Sequence, residues 1–281
     1  MTSIQRPSRT TTRWVRLGAR TAVVAAASLL LAARATAQLS VEDLELRFVS
    51  VPGGKAPAAQ TFRINNTGDQ PLQATISIAD WDRAESGQNR YFTAGSQASS
   101  CTAHMGVFPM VLRLEPHSSE DVRVALKDGV GAACHSILFV ETPPPPPSAR
   151  GASITYRLRY GVKVYVEPNS PFAGEIVESG VVAASVAASP TAHAPRADSL
   201  EILYRNPGSR QSLTTGEIQI RRPDDSVAAR IPVGEFPVLP GATRRLRLPL
   251  PTLATGRYVI LALLEFGGDD VVATQVEWQV P

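Results

Sequence analysis

The sequence lacks long hydrophobic runs and has few of the residue types that commonly carry chemistry. It contains two cysteines, four histidines and only three lysines among its 28 basic residues. Its longest apolar run spans the 13 residues from Thr21 to Ala33, whereas a membrane-spanning helix needs roughly 20. We therefore expect no membrane-embedded domain.

Motifs typical of enzymes are absent as well. The histidines show no spacing typical of metal ligands, such as His-x-His or His-Glu-x-x-His. No Gly-x-Ser-x-Gly elbow, phosphate-binding loop or dinucleotide fingerprint is present. We therefore expect no catalytic residue, no cofactor and no small-molecule substrate. A hydrolase would need residues scattered too widely for the sequence to reveal.

The first 37 residues have the features of a secretory signal peptide. Five arginines and no acidic residue precede the apolar run, and Ala35-Thr36-Ala37 offers a small-x-small cleavage site. We expect export to the periplasm and a mature chain that begins at Gln38. Arg34 interrupts the region before the cleavage site, so an uncleaved N-terminal anchor remains an alternative.

The positive net charge of the chain comes from this leader. The whole chain carries +3, but six of its 28 basic residues lie in the first 37, which leaves 22 basic residues against 25 acidic ones. The mature chain therefore has a formal charge of −3. This balance removes the main support for nucleic-acid binding, and we expect no nucleic-acid partner.

The two cysteines, Cys101 and Cys134, lie in the exported part of the chain. An oxidising compartment makes a disulfide the default for such a pair. The bond would close a loop of about 33 residues and stabilise the fold by roughly 3–4 kcal/mol on the chain-entropy account.

Two clusters offer alternative metal sites. The first consists of four possible zinc or copper ligands, which are Cys101, His104, Cys134 and His135. The second could coordinate calcium and consists of Asp80, Asp82 and Glu85. An oxidised cysteine pair supplies no thiolates, however, and acids at the end of a strand are commonly just solvated.

The mature chain reads as a succession of β-strands in two series. Short segments that alternate apolar and polar residues have the period of a strand, and no helical period of useful length appears. From Gln38 to about Glu167, seven or so such segments are typical of an immunoglobulin-like sandwich, with a turn at Asn65-Asn66-Thr67-Gly68-Asp69.

A second β series follows a break at Pro168-Asn169-Ser170-Pro171 and has its own turns, including Asn206-Pro207-Gly208 and Leu239-Pro240-Gly241. We therefore predict an all-β chain with two immunoglobulin-like β-sandwich domains, 38–167 and 168–281. No sequence repeat relates the two halves.

The segment from Ser136 to Pro168 predicts two long strands joined by a proline-rich loop. An apolar row in its second strand alternates with charged and polar residues and comprises Ile154, Tyr156, Leu158 and Tyr160. The run Pro143–Pro147 cannot donate backbone hydrogen bonds and indicates an extended polyproline segment. Such a segment serves either as a stiff surface spacer or as a cover beside the apolar strand.

These features resemble the periplasmic pilus chaperones, the PapD-like family. The matching pieces are Arg47 near the first strand, Phe62-Arg63-Ile64-Asn65-Asn66-Thr67 before a turn, Leu112-Arg113-Leu114-Glu115-Pro116, the strand Ser136–Thr142, and Gly161–Pro168. In the second half, Leu203-Tyr204-Arg205-Asn206-Pro207 matches more weakly. The resemblance implies two immunoglobulin-like domains set at an angle, with a cleft between them.

The resemblance also implies a function. Members of the family bind and cap secreted pilus or fimbria-type subunits by lending a strand that the subunit lacks, known as donor-strand complementation. They hold the subunit's C-terminal carboxylate in the cleft with one arginine and one lysine, which would here be Arg47 and Lys163. The row Ile154, Tyr156, Leu158 and Tyr160 would fill the subunit's groove, and an outer-membrane usher would be a further partner.

Each of these features also has a simpler interpretation. Arg47 could be an exposed arginine at a strand edge, Lys163 the outward residue of a half-exposed strand, and the apolar row the core of its own sandwich. An exported adhesion or scaffold protein with the same fold therefore remains the alternative. The two functions differ in whether the row at 154–160 is exposed in the free protein.

Overall fold

The computed structural model describes residues 38–51, 53–143, 158–183 and 197–281. The predicted signal peptide, the proline run from residue 144 onward, and Ile154 and Tyr156 of the apolar row lie outside the described residues. The described part contains β-strands and one 3₁₀ turn at Thr102–His104. No helix in these ranges is long and apolar enough to cross a membrane.

The first half of the described chain forms two sheets that face each other. Its strands are β1 (Leu39–Val41), β2 (Glu45–Ser50), β3 (Gln60–Asn66), β4 (Leu72–Arg83), β5 (Asn89–Thr93), β6 (Met105–Phe108), β7 (Val111–Leu114), β8 (Ser119–Leu126), β9 (Cys134–Glu141) and β10 (Arg159–Pro168). One sheet has the order β1-β3-β8-β6, and the other has the order β2-β10-β9-β4-β5 with β7 paired to β4.

The second half repeats this two-sheet plan. Its strands are β11 (Glu175–Val182), β12 (Ser199–Arg205), β13 (Ser212–Arg221), β14 (Val227–Val238), β15 (Thr243–Pro249), β16 (Gly256–Glu265) and β17 (Val271–Val280). The sheets have the orders β11-β12-β15 and β14-β13-β16-β17. The all-β, two-domain fold class predicted from the sequence is confirmed.

Each half has its own hydrophobic core, which follows directly from the alternation in the strands. In β10, Val162, Val164 and Val166 are fully buried and pack against Leu46 and Phe48 of β2 within one cluster. A separate cluster of buried side chains, drawn from strands between Leu200 and Trp278, forms the core of the second half. Burial of apolar side chains on one face of each strand therefore fixes which residues remain on the outer face.

The chain switches from one sheet to the other between β1 and β2. β1 pairs with β3, with Leu39 opposite Asn66, whereas β2 pairs in parallel with β10. Asp43 lies between them with a φ of 57°, in the left-handed region that aspartate tolerates better than most residues. This turn brings β2 alongside β10, where the predicted anchor residues lie.

Cys101 and Cys134 are joined in a disulfide. The bond connects the residue before the 3₁₀ turn to the start of β9, and both cysteines belong to the first core. Neither sulfur can then act as a thiolate ligand, so the Cys/His metal site does not form.

The carboxylates of the alternative calcium site are also engaged elsewhere. Asp80 accepts hydrogen bonds from Ser100 Oγ at 2.5 Å and from the backbone N–H of Gln97 at 3.0 Å. Asp82 forms a two-hydrogen-bond ion pair with Arg90. Burial raises the pKa of the Asp80 carboxyl, but the hydrogen bonds outweigh it and hold that pKa below its usual value. Asp80 therefore secures the loop that carries Cys101.

A buried asparagine stabilises the turn at the end of one strand in each half, although the sequence shows no repeat. Asn66 Nδ2 donates to the carbonyls of Gln70, Leu114 and Glu115 at 2.8–3.2 Å. At the end of β12, Asn206 Nδ2 donates to the carbonyls of Arg210 and Val238 at 2.7 and 2.9 Å. Each Asn Oδ1 also accepts from the backbone N–H two residues later.

Replacement of either asparagine is expected to destabilise its own half. Asn66 and Asn206 are 1% and 0% exposed, so Asn66→Ala or Asn206→Ala leaves backbone carbonyls without their donor and costs about 2–4 kcal/mol. Urea unfolding of the purified protein measures this loss. Asn65→Ala is the matched control, because its amide bonds to the exposed Glu42, and it is expected to cost about 1 kcal/mol or less. If Asn65→Ala and Asn66→Ala lowered the free energy of unfolding equally, the stabilising role given to the buried Asn66 amide would be contradicted.

Candidate functional site

Arg47 and Lys163 come together on neighbouring strands. β2 pairs with the second half of β10 so that Glu45 lies opposite Lys163 and Arg47 opposite Tyr165. Because the residues next to them in each strand face the core, both cations lie on the outer face of the sheet. The structure thus places the two residues of the predicted carboxylate anchor side by side.

A carboxylate of the chain itself already lies between these two cations. Arg47 Nη2 donates to Glu45 Oε2 at 3.0 Å, and Lys163 Nζ donates to Glu45 Oε1 at 3.4 Å. Each Glu45 oxygen therefore contacts one cation. The Glu45 side chain is 43% exposed, and ion pairs with this much exposure contribute at most about 1 kcal/mol.

Arg47 also joins the two halves of the protein. Its Nη2 donates to Gln211 Oε1 at 2.8 Å, and its Nη1 lies 3.4 Å from Glu167 Oε2. Gln211 in turn donates its backbone N–H to Glu167 Oε1 at 2.7 Å. The guanidinium carbon lies 4.4 Å from the centroid of the Tyr165 ring. Arg47 is therefore part of a polar junction between the halves.

Two buried aromatic rings form the floor beneath these cations. Trp81 and Tyr165 meet edge to face with their centroids 5.9 Å apart, and both are almost fully buried. Lys163 Nζ lies 5.3 Å and Arg83 Cζ 5.8 Å from the Trp81 ring, within reach of cation–π attraction. Burial, together with the nearby Glu45 carboxylate, raises the pKa of the Tyr165 phenol far above its usual value, so this ring is neutral.

Apolar contacts continue this floor into the second half. Leu239 packs with Trp81, Ile137 and Tyr165 in a third buried cluster. Beside it, a cavity of about 430 Å³ is bounded by Arg83 and His135 on one side and by residues 239–243 on the other. The His135 ring lies 5.6 Å from Trp81, and burial lowers the pKa of its imidazole, so this ring carries no charge at neutral pH.

A hairpin of the first half secures the far side of the junction. Glu85, in the turn between β4 and β5, accepts a hydrogen bond from Thr243 Oγ1 at 3.0 Å and pairs with Arg245 at 3.4 Å. Its backbone carbonyl accepts from the N–H of Arg245 at 2.9 Å. Contacts on both sides of Trp81 thus hold the two halves together around the candidate site.

Arg83, beside the Trp81–Tyr165 floor, has no carboxylate partner in the described part of the chain. Glu45 contacts both Arg47 and Lys163, and Glu167 lies close to Arg47. Arg83 makes no ion pair with any of the described residues, and its buried Nε has no hydrogen-bond partner there. Arg83 is therefore a cation that could bind an additional anion.

The first half of β10 has an unpaired edge next to this site. β9 pairs with β10 from Arg159 onward, but β2 joins β10 only from Lys163 onward. Within the described ranges, the segment Arg159–Val162 therefore has a neighbour on one side alone. Such an edge presents backbone N–H and C=O groups that can accept another strand.

The two described members of the predicted apolar row differ from each other. Leu158 precedes β10 and is 37% exposed. Tyr160, in contrast, packs against the first core, and its hydroxyl donates to the Leu39 carbonyl at 2.7 Å. In the free protein Tyr160 therefore faces the first core, and its contact with a partner stays a prediction.

Most of the residues that surround the two cations were not predicted from the sequence. Glu45 and Tyr165 could have been identified only with the β2–β10 register, which joins segments about 120 positions apart. Trp81 was considered only as part of an acidic cluster, and its burial depends on residues of the second half such as Leu239. Gln211 carries no sequence signal.

Comparisons with known proteins show which fold this is. No family model and no curated protein matches the sequence. Among solved structures, the class 5 fimbriae chaperone CfaA matches with a TM-score of 0.51 at 10% identity, over 86% of this chain and 99% of that chain. A chain from a study of the chaperone–tip adhesin complex in CFA/I fimbriae biogenesis matches with a TM-score of 0.52 at 11% identity, over 87% and 100%. The chain therefore has the two-domain β fold of the fimbrial chaperones.

Proposed function

We propose that this protein is a periplasmic, non-enzymatic chaperone that binds and caps a secreted pilus or fimbria-type subunit. It would lend the strand that ends in β10 to the subunit and hold the subunit's C-terminal carboxylate at Arg47 and Lys163. The two domains, 38–167 and 168–281, would form the walls of the cleft. The observation that carries the proposal is the half-paired β10, whose unpaired segment leads directly to Lys163.

The geometry of β10 suits strand lending. An added strand would pair with Arg159–Val162 on the side opposite β9, and its register would be fixed where β2 begins at Glu45. Leu158 lies five residues before Lys163, which is about 16 Å along a strand. If the C-terminal carboxylate of a subunit reached Lys163, alternate side chains of the subunit strand would contact Leu158. Farther along the strand they would contact Tyr156 and Ile154.

The cation pair suits a terminal carboxylate. A guanidinium can bind a carboxylate through two parallel hydrogen bonds, and an ammonium adds a compact positive charge. Glu45 demonstrates that one carboxylate can reach both cations at once. Arg83, which has no ion pair with the described residues, further supports the binding of an anionic group beside Trp81.

Such a chaperone requires no nucleotide. It stabilises the incomplete subunit by supplying backbone hydrogen bonds and apolar contacts, and release follows when another strand takes their place. An outer-membrane usher would be the natural partner for that exchange. The fold supports a pilus or fimbria-type subunit as the client, and so does the similarity to a structure from a study of a chaperone–tip adhesin complex.

One observation favours the alternative function of an adhesion or scaffold module. Arg47 already makes contacts with Glu167 and Gln211 that hold the two halves together, and such a structural role needs no client. The alternative assigns no role to Lys163, which has no hydrogen bond to the second half among the described residues. Lys163 therefore separates the two functions more sharply than Arg47 does.

Loss of the Lys163 charge is expected to impair client capture without unfolding the protein. Lys163→Met keeps most of the apolar stem over Trp81 but removes a charge-assisted hydrogen bond worth about 1.5–3 kcal/mol, so the amount of captured subunit should fall at least about tenfold. Quantitative mass spectrometry of subunits that co-purify from the periplasm of the source cell measures this loss.

The matched control for this experiment is Lys127→Met. Lys127 Nζ donates to the Ala103 carbonyl, away from the cleft, so the control should capture the client normally. Arg47→Ala should also lose the client, together with some stability, because it removes the contact to Gln211. Undiminished capture by both Lys163→Met and Arg47→Ala would exclude the cleft anchor.

A charge at Leu158 is expected to block the lent strand while leaving the free protein stable. Leu158 is 37% exposed and precedes β10, so Leu158→Arg should change the free energy of unfolding by about 0.5 kcal/mol or less and abolish capture. Val162→Arg is the contrasting variant, because Val162 is fully buried and an unpaired charge there should unfold the first domain. A sharply lower melting temperature for Leu158→Arg would show that Leu158 is core and would refute strand lending.

A further inference from the structure

The Arg47–Lys163 pair is occupied by the protein itself. Glu45 places one carboxylate oxygen on each cation, at 3.0 Å from Arg47 Nη2 and 3.4 Å from Lys163 Nζ. This is the same two-cation contact that the proposed function assigns to the terminal carboxylate of a client. A client carboxylate would compete with Glu45 for these contacts, because the two hydrogens of Arg47 Nη2 are already donated to Glu45 and Gln211 and the two carboxylates repel each other.

Glu45 is the carboxylate in this cluster that can move away. Its side chain is 43% exposed, whereas that of Glu167 is 11% exposed. Glu167 is also fixed by the backbone N–H of Gln211 at 2.7 Å. Glu45 is the first residue of β2, and rotation of its side chain into solvent breaks no other hydrogen bond found in the described part of the protein.

We propose that Glu45 is a built-in competitor that occupies the client's carboxylate site in the free protein and sets the affinity of that site. The inference rests on the proposed function and adds Glu45 as a residue that determines how tightly a carboxylate binds to Arg47 and Lys163. With Glu45 and Glu167 in place, Arg47 and Lys163 are already neutralised. An incoming carboxylate must therefore displace Glu45, which lowers the affinity of the site for every anion.

Removal of the competing charge is expected to open the site. In Glu45→Gln, the side chain at position 45 stays similar in size but no longer neutralises the two cations, so a carboxylate should bind about tenfold more tightly. Such a gain corresponds to about 1.4 kcal/mol. Because Glu45 is exposed at the start of a strand, the variant should keep the melting temperature of the parent protein.

The lysine content of the chain makes this measurable without a client. Reductive methylation with ¹³C-labelled formaldehyde keeps each lysine charged and gives resolved NMR signals for just three lysines, Lys55, Lys127 and Lys163. Sodium acetate is titrated at constant ionic strength, and the Lys163 signal reports the apparent acetate affinity. Lys55 and Lys127 serve as internal controls, and acetamide serves as the uncharged probe.

Two variants decide the outcome. We expect Glu45→Gln to bind acetate about tenfold more tightly than the parent, with no response to acetamide. Glu42→Gln removes the same charge from the exposed residue that binds Asn65, and it should leave the acetate affinity of Lys163 unchanged. Equal acetate affinity in the parent and Glu45→Gln, or no response of Lys163 in either, would overturn the inference.

Failure of this inference is distinguishable from failure of the proposed function. Client capture that persists in Lys163→Met would remove the proposed function, whatever acetate does at Glu45→Gln. Suppose instead that capture depends on Lys163 but is equal in Glu45→Gln and the parent. The proposed function would then stand, and the competitor role of Glu45 would be excluded. Stronger capture by Glu45→Gln than by Glu42→Gln would support both.

Discussion

The parallel pairing of β2 with the second half of β10 is the constraint on which the candidate site depends. It begins where Glu45 lies opposite Lys163, and this starting point has three consequences. Arg47 and Lys163 are brought to the same outer face, Glu45 is placed between them, and the segment Arg159–Val162 is left with one neighbouring strand in the described structure. A slip of β2 by one residue in this register would turn Glu45 and Arg47 toward the core and away from Lys163.

The same outer face joins the two halves of the protein. Arg47, Glu167 and Gln211 form the polar part of the junction, and Trp81 with Leu239 forms its apolar part. Arg47 and Lys163 are therefore carried by strands, and the residues Gln211 and Leu239, which lie just outside strands β13 and β14, complete the junction beside them. This placement suits recognition of one end of an extended partner strand, because β10 itself supplies the direction in which that strand must run.

The sequence predicted those parts of the fold that local alternation and turn chemistry determine. The strands of both cores, the turns at Asn66 and Asn206 and the two-domain β fold follow from residues close together in the chain. Glu45, Trp81 and Gln211 were missed because their roles arise only when segments far apart in sequence come into register. The alternation at Tyr160 is the same for a residue that contacts a partner and for one that faces its own core. Its packing against the first core and its hydrogen bond to Leu39 could not be read from the sequence.

We propose that the unpaired edge of β10 receives a strand of the client. Hydrogen–deuterium exchange of the free protein and of its complex with the co-purified subunit reports directly on this edge. The N–H of Lys163 donates to the Leu44 carbonyl on the β2 side, so by alternation the amides of Gly161 and Arg159 face the open edge and those of Tyr160 and Val162 face β9. We expect rapid exchange of the Arg159 and Gly161 amides when the protein is alone and strong protection of both in the complex, with little change in the buried strand β9. Protection of these two amides already in the free protein, or no change on binding, would contradict the proposal.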